Sequence, residues 1–113
     1  MTEVLAAELL KALSDETRIK ILKMLSESEM CAAKILEQFS ITQPTLSHHM
    51  KLLCDTALVN YRKDGKWTYY SLNRERLFDI FAFFGEEFGM SENLTFSRGY
   101  ENSRQRELPS HLL

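Results

Sequence analysis

Apolar side chains recur every three or four residues through the first quarter of the chain, which is the spacing of one face of a helix. In the first predicted helix they are Val4, Leu5, Leu9, Leu10 and Leu13. Ser14 or Asp15 is a suitable N-cap for a second helix. The apolar residues of that second helix are Ile19, Leu22, Met24 and Leu25. The pattern therefore predicts two helices at the start of the chain.

A short helix, a turn and a longer helix are predicted next. The third helix is indicated by Met30, Ile35, Leu36 and Phe39, and it is followed by a turn of about three residues at SIT, positions 40–42. Pro44 suits the first turn of a fourth helix, where it has no amide hydrogen bond to lose. On a helical wheel the side predicted to face the core carries Leu46, Met50, Leu53 and Ala57. This arrangement is typical of a helix-turn-helix.

The pattern changes to that of strands at residues 58–72, LVNYRKDGKWTYYSL. Two runs rich in β-branched and aromatic residues flank KDGK, whose Asp-Gly pair suits a tight turn. A last helix follows in RERLFDIFAFFGEEF, with Leu77, Ile80, Phe81, Phe84 and Phe88 on one stripe. The predicted fold is mainly α-helical with a β-hairpin, a winged helix-turn-helix in residues 1–90. Residues 91–113 are polar and weakly patterned, and we expect them to form a mobile or partner-ordered tail.

The net charge of -2 hides a basic middle. Residues 41–70 carry Lys51, Arg62, Lys63 and Lys66 against Asp55 and Asp64, a local excess of two positive charges. In a winged helix the helix after the turn enters the major groove and the hairpin tip reaches the neighbouring backbone. The predicted DNA-binding residues are therefore Gln43, Thr45, Ser47, His48 and Lys51 on the helix, with Arg62, Lys63 and Lys66 on the hairpin. Each alone is more typical of a solvated surface, and their joint placement favours DNA.

Three strings carry a resemblance to a known family: KALSDETRIKILKML, ITQPTLSHHMKLL and RKDGKWTYYSL, in a segment that covers roughly residues 10 to 73. They resemble the ArsR/SmtB family of small bacterial winged-helix repressors. The resemblance implies a dimeric repressor that releases operator DNA when a metal ion, metalloid or reactive sulfur species binds. The start of the sequence lacks the pattern of a signal peptide, so we expect a cytoplasmic protein. It also implies that Gln43, Thr45, Ser47 and His48 read DNA while the hairpin contacts the backbone.

Excess apolar surface at the two ends of the chain agrees with the dimer that the resemblance implies. The family pairs two chains through the first and last helices, so the predicted interface residues are Leu5, Leu9, Phe78, Phe81 and Phe84. Two recognition helices would then lie roughly 34 Å apart, about one turn of DNA. The alternative is that the tail folds back over these residues.

The sequence contains only part of the inducer site of the family. The arsenic- and cadmium-sensing members carry E-x-C-x-C, whereas this chain reads EMCAA, with Cys31 in the first ligand position and Ala33 in the second. Cys54 is the other thiol, and nothing in the sequence places it near Cys31. Other members of the family bind zinc through aspartate and histidine on the last helix. We do not expect that site here, because residues 74–89 contain no histidine. We interpret both cysteines as packing residues, with a weakened As(III) or other soft-metal site, or a redox response, as the alternatives.

Other function classes find little support in the sequence. A glycine-rich phosphate loop and an evident nucleophile with its base are both missing, so we predict no enzyme. No apolar run approaches the ~20 residues of a membrane span. The alternative to a ligand-released repressor is a winged-helix module without ligand response, which acts by protein contact or by constitutive DNA binding. A further hypothesis is that the chain derives from a metal-responsive parent, so that Ala33→Cys would restore As(III) or Cd(II) binding.

Overall fold

A computed structural model describes residues 1–90, so the predicted tail at 91–113 lies outside the described residues. Five helices and three strands follow one another along the chain. The helices are α1 (Glu3–Leu13), α2 (Glu16–Glu27), α3 (Ala32–Leu36), α4 (Gln43–Asp55) and α5 (Arg74–Glu87). The strands are β1 (Met30–Cys31), β2 (Val59–Asp64) and β3 (Trp67–Leu72). The predicted class, mainly helical with a β-hairpin wing, is confirmed.

Side-chain oxygens cap the helices where the sequence placed their beginnings. A helix leaves its first amides without partners, and an oxygen at the N-cap accepts from one of them. The Asp15 carboxylate accepts from the Arg18 amide at 3.0 Å, so Asp15 caps α2 while Ser14 ends α1. The Thr42 hydroxyl accepts from the Thr45 amide at 3.3 Å and caps α4. These caps fix where the second and fourth helices begin.

The buried core draws on nearly every element. Its largest fully buried side chains are Leu9, Ile21, Ile35, Leu53, Leu58 and Ile80. On α2 the buried face is Ile21, Leu22 and Leu25. Ile19, one of the apolar residues that indicated this helix, is not part of the buried face, because it is 47% exposed and lies about 200° around the helix from Ile21. The spacing was helical, but the direction of the face depends on what the helix packs against.

A short strand that the sequence pattern did not indicate precedes α3. The sheet has the order β1-β3-β2 and is antiparallel, with Met30 opposite Tyr70 and Cys31 opposite Tyr69. The expectation that Met30 lies in a helix is therefore wrong, and Phe39 lies beyond the end of α3. Pairing with the free edge of β3 gives these two residues backbone partners from far along the chain. The link from α3 to α4 covers residues 37–42, longer than the predicted turn.

The predicted hairpin is confirmed, with its turn displaced by one residue. Asp64 pairs with Trp67, which leaves Gly65 and Lys66 as the two turn residues. Gly65 has a φ of 62°, and it is the first of the two. A turn with positive φ only at its first central position is of type II′, which favours glycine there. Asp64 thus ends β2 instead of forming the turn.

The end of α4 is a Schellman cap built without glycine. The Leu58 amide donates to the Leu53 carbonyl at 3.0 Å, and the Ala57 amide donates to the Cys54 carbonyl at 3.0 Å. Ala57 takes the left-handed conformation that this cap requires, with a φ of 60°. Its predicted place on the core face of the helix is wrong, because α4 ends at Asp55. The cap turns the chain into β2.

Residues 1–80 form one compact unit, and a second begins at Phe81 within α5. In the first unit, Nδ2 of the Asn73 side chain donates to the Ala57 carbonyl at 2.9 Å, and the Arg76 guanidinium donates to the Thr56 carbonyl at 2.9 Å. In the second unit, the Phe84 ring lies edge-on to one neighbouring phenylalanine and stacks on another at 5.6 Å.

Among residues 1–90, none of the helices combines the length and the apolar character that a membrane span requires.

Candidate nucleic-acid interface

The outer face of α4 presents the polar residues that the sequence selected. Gln43, Thr45, Ser47 and His48 are all exposed, whereas Leu46 and Met50 between them are buried. The buried residues follow the four-residue repeat of a helix, so the polar ones share the remaining surface. The tertiary structure therefore turns these four polar side chains outward on one helix.

Thr45 keeps a hydrogen-bond donor free at the beginning of this helix. The Thr42 hydroxyl donates to the Thr45 hydroxyl oxygen at 2.9 Å while accepting from the Thr45 amide. The Thr45 oxygen is thus an acceptor within the protein, and its own proton remains available. A free hydroxyl donor at a helix N-terminus suits a phosphate oxygen or an acceptor on a base edge.

The two histidines of α4 have different surroundings. His48 is exposed, whereas the His49 side chain is only 12% exposed and lies against the beginning of α2. The Arg18 guanidinium lies 3.0 Å from Nδ1 of His49, and because a guanidinium has no acceptor, Nδ1 accepts the hydrogen bond. Sequence reasoning left His49 without a role, and the structure assigns it to packing.

Arg18 joins three helices at this junction. Besides its bond to His49, its guanidinium donates to the Ala12 carbonyl at 2.7 Å and to the Lys11 carbonyl at 3.2 Å, at the end of α1. The amide of Arg18 and its positive charge also hold the pKa of the Asp15 carboxyl below its usual value. Asp15 and Arg18, within the SDETR string, therefore orient α4 relative to α1 and α2.

Two of the predicted DNA-binding cations already have partners within the protein. The Lys51 ammonium lies 2.7 Å from the Asp55 carboxylate, whose hydrogen bond and charge raise the pKa of Lys51. The Arg62 guanidinium makes two hydrogen bonds to Glu29, at 3.0 and 2.7 Å, and lies over the Tyr69 ring. Arg62 therefore ties the middle of β2 to Glu29, the residue before β1, instead of extending from the tip of the hairpin.

The tip and inner face of the hairpin carry the other two cations. The Lys66 ammonium lies 5.7 Å from the centre of the exposed Trp67 ring, at the turn itself. Lys63 is exposed and lines the cleft between the hairpin and α4, as does Ser47. These two lysines are the cations best placed for backbone phosphates.

The sheet separates the two cysteines. Residues opposite each other on antiparallel strands share a face, and successive residues of a strand alternate. Cys31 lies opposite Tyr69, whereas Tyr70 lines the same cleft as Cys54, so the two thiols lie on opposite faces of the sheet. Burial and the neighbouring Asp55 raise the pKa of the Cys54 thiol, which keeps it protonated. Within residues 1–90 no three His, Cys, Asp or Glu side chains come together to hold a metal ion.

The apolar residues predicted for a dimer interface divide into buried and exposed. Leu9 is fully buried in the core of its own chain, so it cannot present surface to a partner, and that assignment is wrong. Phe78 is 69% exposed and Phe81 is also exposed, while Leu5 and Phe84 are partly buried. Val4, an apolar residue of the first helix that was not among those predicted for the interface, is 71% exposed.

The comparison with known proteins identifies the family. Residues 15–61 match the family described as "Bacterial regulatory protein, arsR family". The chain is 54% identical over 72 residues to the arsenical resistance operon repressor of Staphylococcus aureus, a match that covers 64% of this chain and 69% of that protein. The chain belongs to the ArsR family. It is therefore a winged-helix, DNA-binding transcriptional regulator.

Other ArsR-type relatives agree with this assignment. A cadmium resistance transcriptional regulatory protein, the CadC homologue of Staphylococcus aureus, is 43% identical over 72 residues, which cover 63% of this chain and 60% of the relative. The structure of HlyU from Vibrio cholerae matches with a TM-score of 0.62 and 31% identity, over 74% of this chain and 95% of that one. The family match at residues 15–61 includes all of α4 and the beginning of β2.

Proposed function

We propose that this ArsR-family protein is a repressor that binds a palindromic operator as a dimer, with α4 in the major groove and the hairpin on the adjacent backbone. The observation that carries the proposal is the polar outer face of α4, formed by Gln43, Thr45, Ser47 and His48. A face with amide, hydroxyl and imidazole groups can make hydrogen bonds to base edges without the repulsion that carboxylates would bring.

The residues divide into two roles. Gln43 suits a bidentate contact with adenine, and Ser47 and His48 suit base edges or phosphate. Thr45 has its hydroxyl proton free for a phosphate oxygen. Lys63 and Lys66 supply charge to the backbone, and Arg62 positions the hairpin through Glu29. Base contacts determine sequence preference, whereas phosphate contacts determine affinity and its salt dependence.

The dimer part of the proposal is supported by exposed apolar side chains on the first and last helices. Val4 on α1 and Phe78 on α5 are the most exposed large apolar residues of the described chain. A twofold dimer through these helices would place two α4 helices roughly 34 Å apart, on successive major grooves.

The inducer part of the proposal is narrower. The names of two relatives refer to arsenical and cadmium resistance, which makes a soft ion such as As(III) the inducer class to test. In this chain one cysteine, Cys31, stands where the sensing members have a pair, and Cys54 lies on the other face of the sheet. We therefore propose that As(III) does not release this protein from DNA.

Fluorescence anisotropy on a duplex from the region upstream of the protein's own gene tests the proposal. Tight, salt-sensitive binding is expected, unchanged by As(III) under reducing conditions. Gln43→Ala and His48→Ala should change the preference among operator variants, whereas Lys66→Ala should weaken binding to all of them. Binding that showed no salt dependence would instead favour a protein-contact module. Release by As(III) would contradict the inducer part alone.

A further inference from the structure

A cleft of about 350 Å³ separates α4 from the inner face of the hairpin. Four hydroxyl-bearing side chains line it: Ser47 on the helix and Tyr61, Thr68 and Tyr70 on the strands. The charged residues Lys51, Lys63 and Asp55 line it as well. This inner face arises from the strand register, because Tyr61 lies opposite Tyr70 and Lys63 lies opposite Thr68.

The lining of the cleft is rich in hydrogen-bond donors. Burial raises the pKa of the Tyr70 hydroxyl, so this group keeps its proton at neutral pH and remains a donor. The same cause raises the pKa of the Cys54 thiol, so no thiolate repels an anion there. Hydroxyl donors together with two ammonium groups are the groups with which proteins hold a phosphodiester.

One residue of the cleft, Asp55, opposes the binding of an anion. Asp55 carries a negative charge and holds the Lys51 ammonium at 2.7 Å. Both side chains are more than half exposed, and both lie on the side of α4 that faces the cleft. A phosphate entering the cleft therefore meets one cation that is free of this pair, Lys63, and a second cation that a carboxylate already holds.

We propose that this cleft seats one phosphate of the DNA backbone, that Lys63 is its main cation, and that Asp55 competes with the phosphate for Lys51. The inference rests on the proposed DNA-binding function and adds to it a defined phosphate site with an opposing charge. Asp55 limits the affinity for DNA of any sequence and leaves discrimination to the polar face of α4.

Two substitutions test the site, each by the slope of log affinity against log salt on the proposed operator and on an unrelated duplex. Asp55→Asn frees Lys51 in each subunit, so affinity should rise about two- to fivefold per subunit on both duplexes, and the slope should steepen by about 0.9 per subunit, or about 1.8 for the proposed dimer. Lys63→Gln should weaken binding to both duplexes and make the slope shallower by about 0.9 per subunit, or about 1.8 for the proposed dimer. The ratio of the two affinities should stay unchanged in both variants.

The chain offers a matched control. Glu16 and Lys20 on α2 form a second exposed pair at the same four-residue spacing, with 2.9 Å between ammonium and carboxylate, outside the cleft. Glu16→Gln changes the net charge by the same amount as Asp55→Asn. Because Glu16 lies outside the cleft, its substitution should leave the salt slope at the wild-type value. Equal effects of the two substitutions would reduce the result to overall charge and overturn the proposal.

The remaining outcomes separate this inference from the proposed function. If wild type binds its operator but Asp55→Asn binds no more tightly, the cleft assignment fails alone. If wild type binds no DNA, both fail. Saturable binding of inorganic phosphate to the DNA-free protein, monitored by NMR and lost in Lys63→Gln, together with wild-type DNA affinity in both variants, would assign the cleft to a free anion and overturn the DNA assignment. Circular dichroism of each variant establishes that it is folded.

Discussion

Ala57 is the one non-glycine residue with a positive φ among residues 1–90. The Schellman cap of α4 requires this conformation, and an L-residue with a Cβ adopts it at a cost of roughly 1–2 kcal/mol. The bonds of the cap, from the amides of Ala57 and Leu58, hold it in place. The chain thus accepts local strain where the recognition helix turns into the hairpin.

Replacing Ala57 by glycine should stabilise the protein. Glycine removes the strain but adds freedom to the unfolded chain, so we expect a net gain of about 0.5–1 kcal/mol in the free energy of unfolding. Urea denaturation measures it. Ala7→Gly, at an exposed position inside α1, should lower the free energy of unfolding by about 1 kcal/mol and serves as the control of opposite sign. A loss of stability in Ala57→Gly would contradict the strain argument.

Asp15 should make stability depend on pH. Its folded-state pKa is lowered, mainly by the Arg18 amide and also by the Arg18 charge, so its contribution is present above the ordinary carboxyl pKa. That contribution is lost as pH falls through the lowered folded pKa. Asp15→Asn keeps an N-cap oxygen without the charge, so the variant should be less stable at pH 7 and approach wild type toward pH 3, by urea midpoint. Parallel curves for the two proteins would rule this role out.

Position 33 tests the origin of the chain from a metal-responsive parent. Ala33→Cys would place a second thiol two residues after Cys31, at the beginning of α3. We expect this variant to gain tight As(III) or Cd(II) binding, seen as sulfur-to-metal absorbance in the ultraviolet, while wild type shows none. Cys31→Ser in the Ala33→Cys background should abolish the gain. An Ala33→Cys protein that bound neither ion would remove the hypothesis.

Among the elements, the helices follow from local spacing and caps, but their mutual arrangement depends on single long-range contacts. Arg18 is the clearest case, since it bonds the last carbonyls of α1 and His49 on α4. The short strand β1 is another, because its partners lie nearly 40 residues further along the chain, at Tyr69 and Tyr70. Both contacts support the base of the candidate interface.

Removing the Arg18 guanidinium should loosen the recognition helix. Arg18→Ala loses the hydrogen bonds to Ala12, Lys11 and His49, and we expect the free energy of unfolding to fall by about 2–3 kcal/mol. Operator affinity should fall with it. Arg18→Lys keeps the charge but not the planar fork, so it should recover only a small part of the loss. Full recovery by lysine would show that charge, and not geometry, organises the junction.

At the scale of the whole molecule, the exposed phenylalanines of α5 test the proposed dimer. Phe78→Glu should convert a dimer at micromolar concentration into a monomer by light scattering, because a buried unpaired carboxylate opposes association. It should also reduce operator affinity, since one half-site binds weakly alone. Ile19→Glu, which changes an exposed apolar residue on α2, should leave the dimer intact. A wild-type monomer would contradict the dimer and favour the alternative in which residues 91–113 cover these side chains.

The sequence by itself determined the class of fold and most of the polar outer face of α4. Helical spacing, a cap for α2 at Ser14 or Asp15 and a hairpin turn at Asp64 and Gly65 act between near neighbours, so the pattern indicates them to within a residue. Periodicity placed His48 opposite the core face of α4 and Thr45 and Ser47 on its flanks, whereas Gln43 was chosen by its side-chain chemistry and by the resemblance.

Only the tertiary structure decided which apolar side chains are buried and which charged side chains already form pairs within the protein. Leu9 and Phe78 are both apolar residues of predicted helices, yet Leu9 is fully buried and Phe78 is exposed. Arg62 and Lys63 are neighbours on β2, but side chains alternate along a strand, so one pairs with Glu29 and the other faces the cleft. These distinctions come from pairing and packing between residues distant in the chain, which periodicity does not encode.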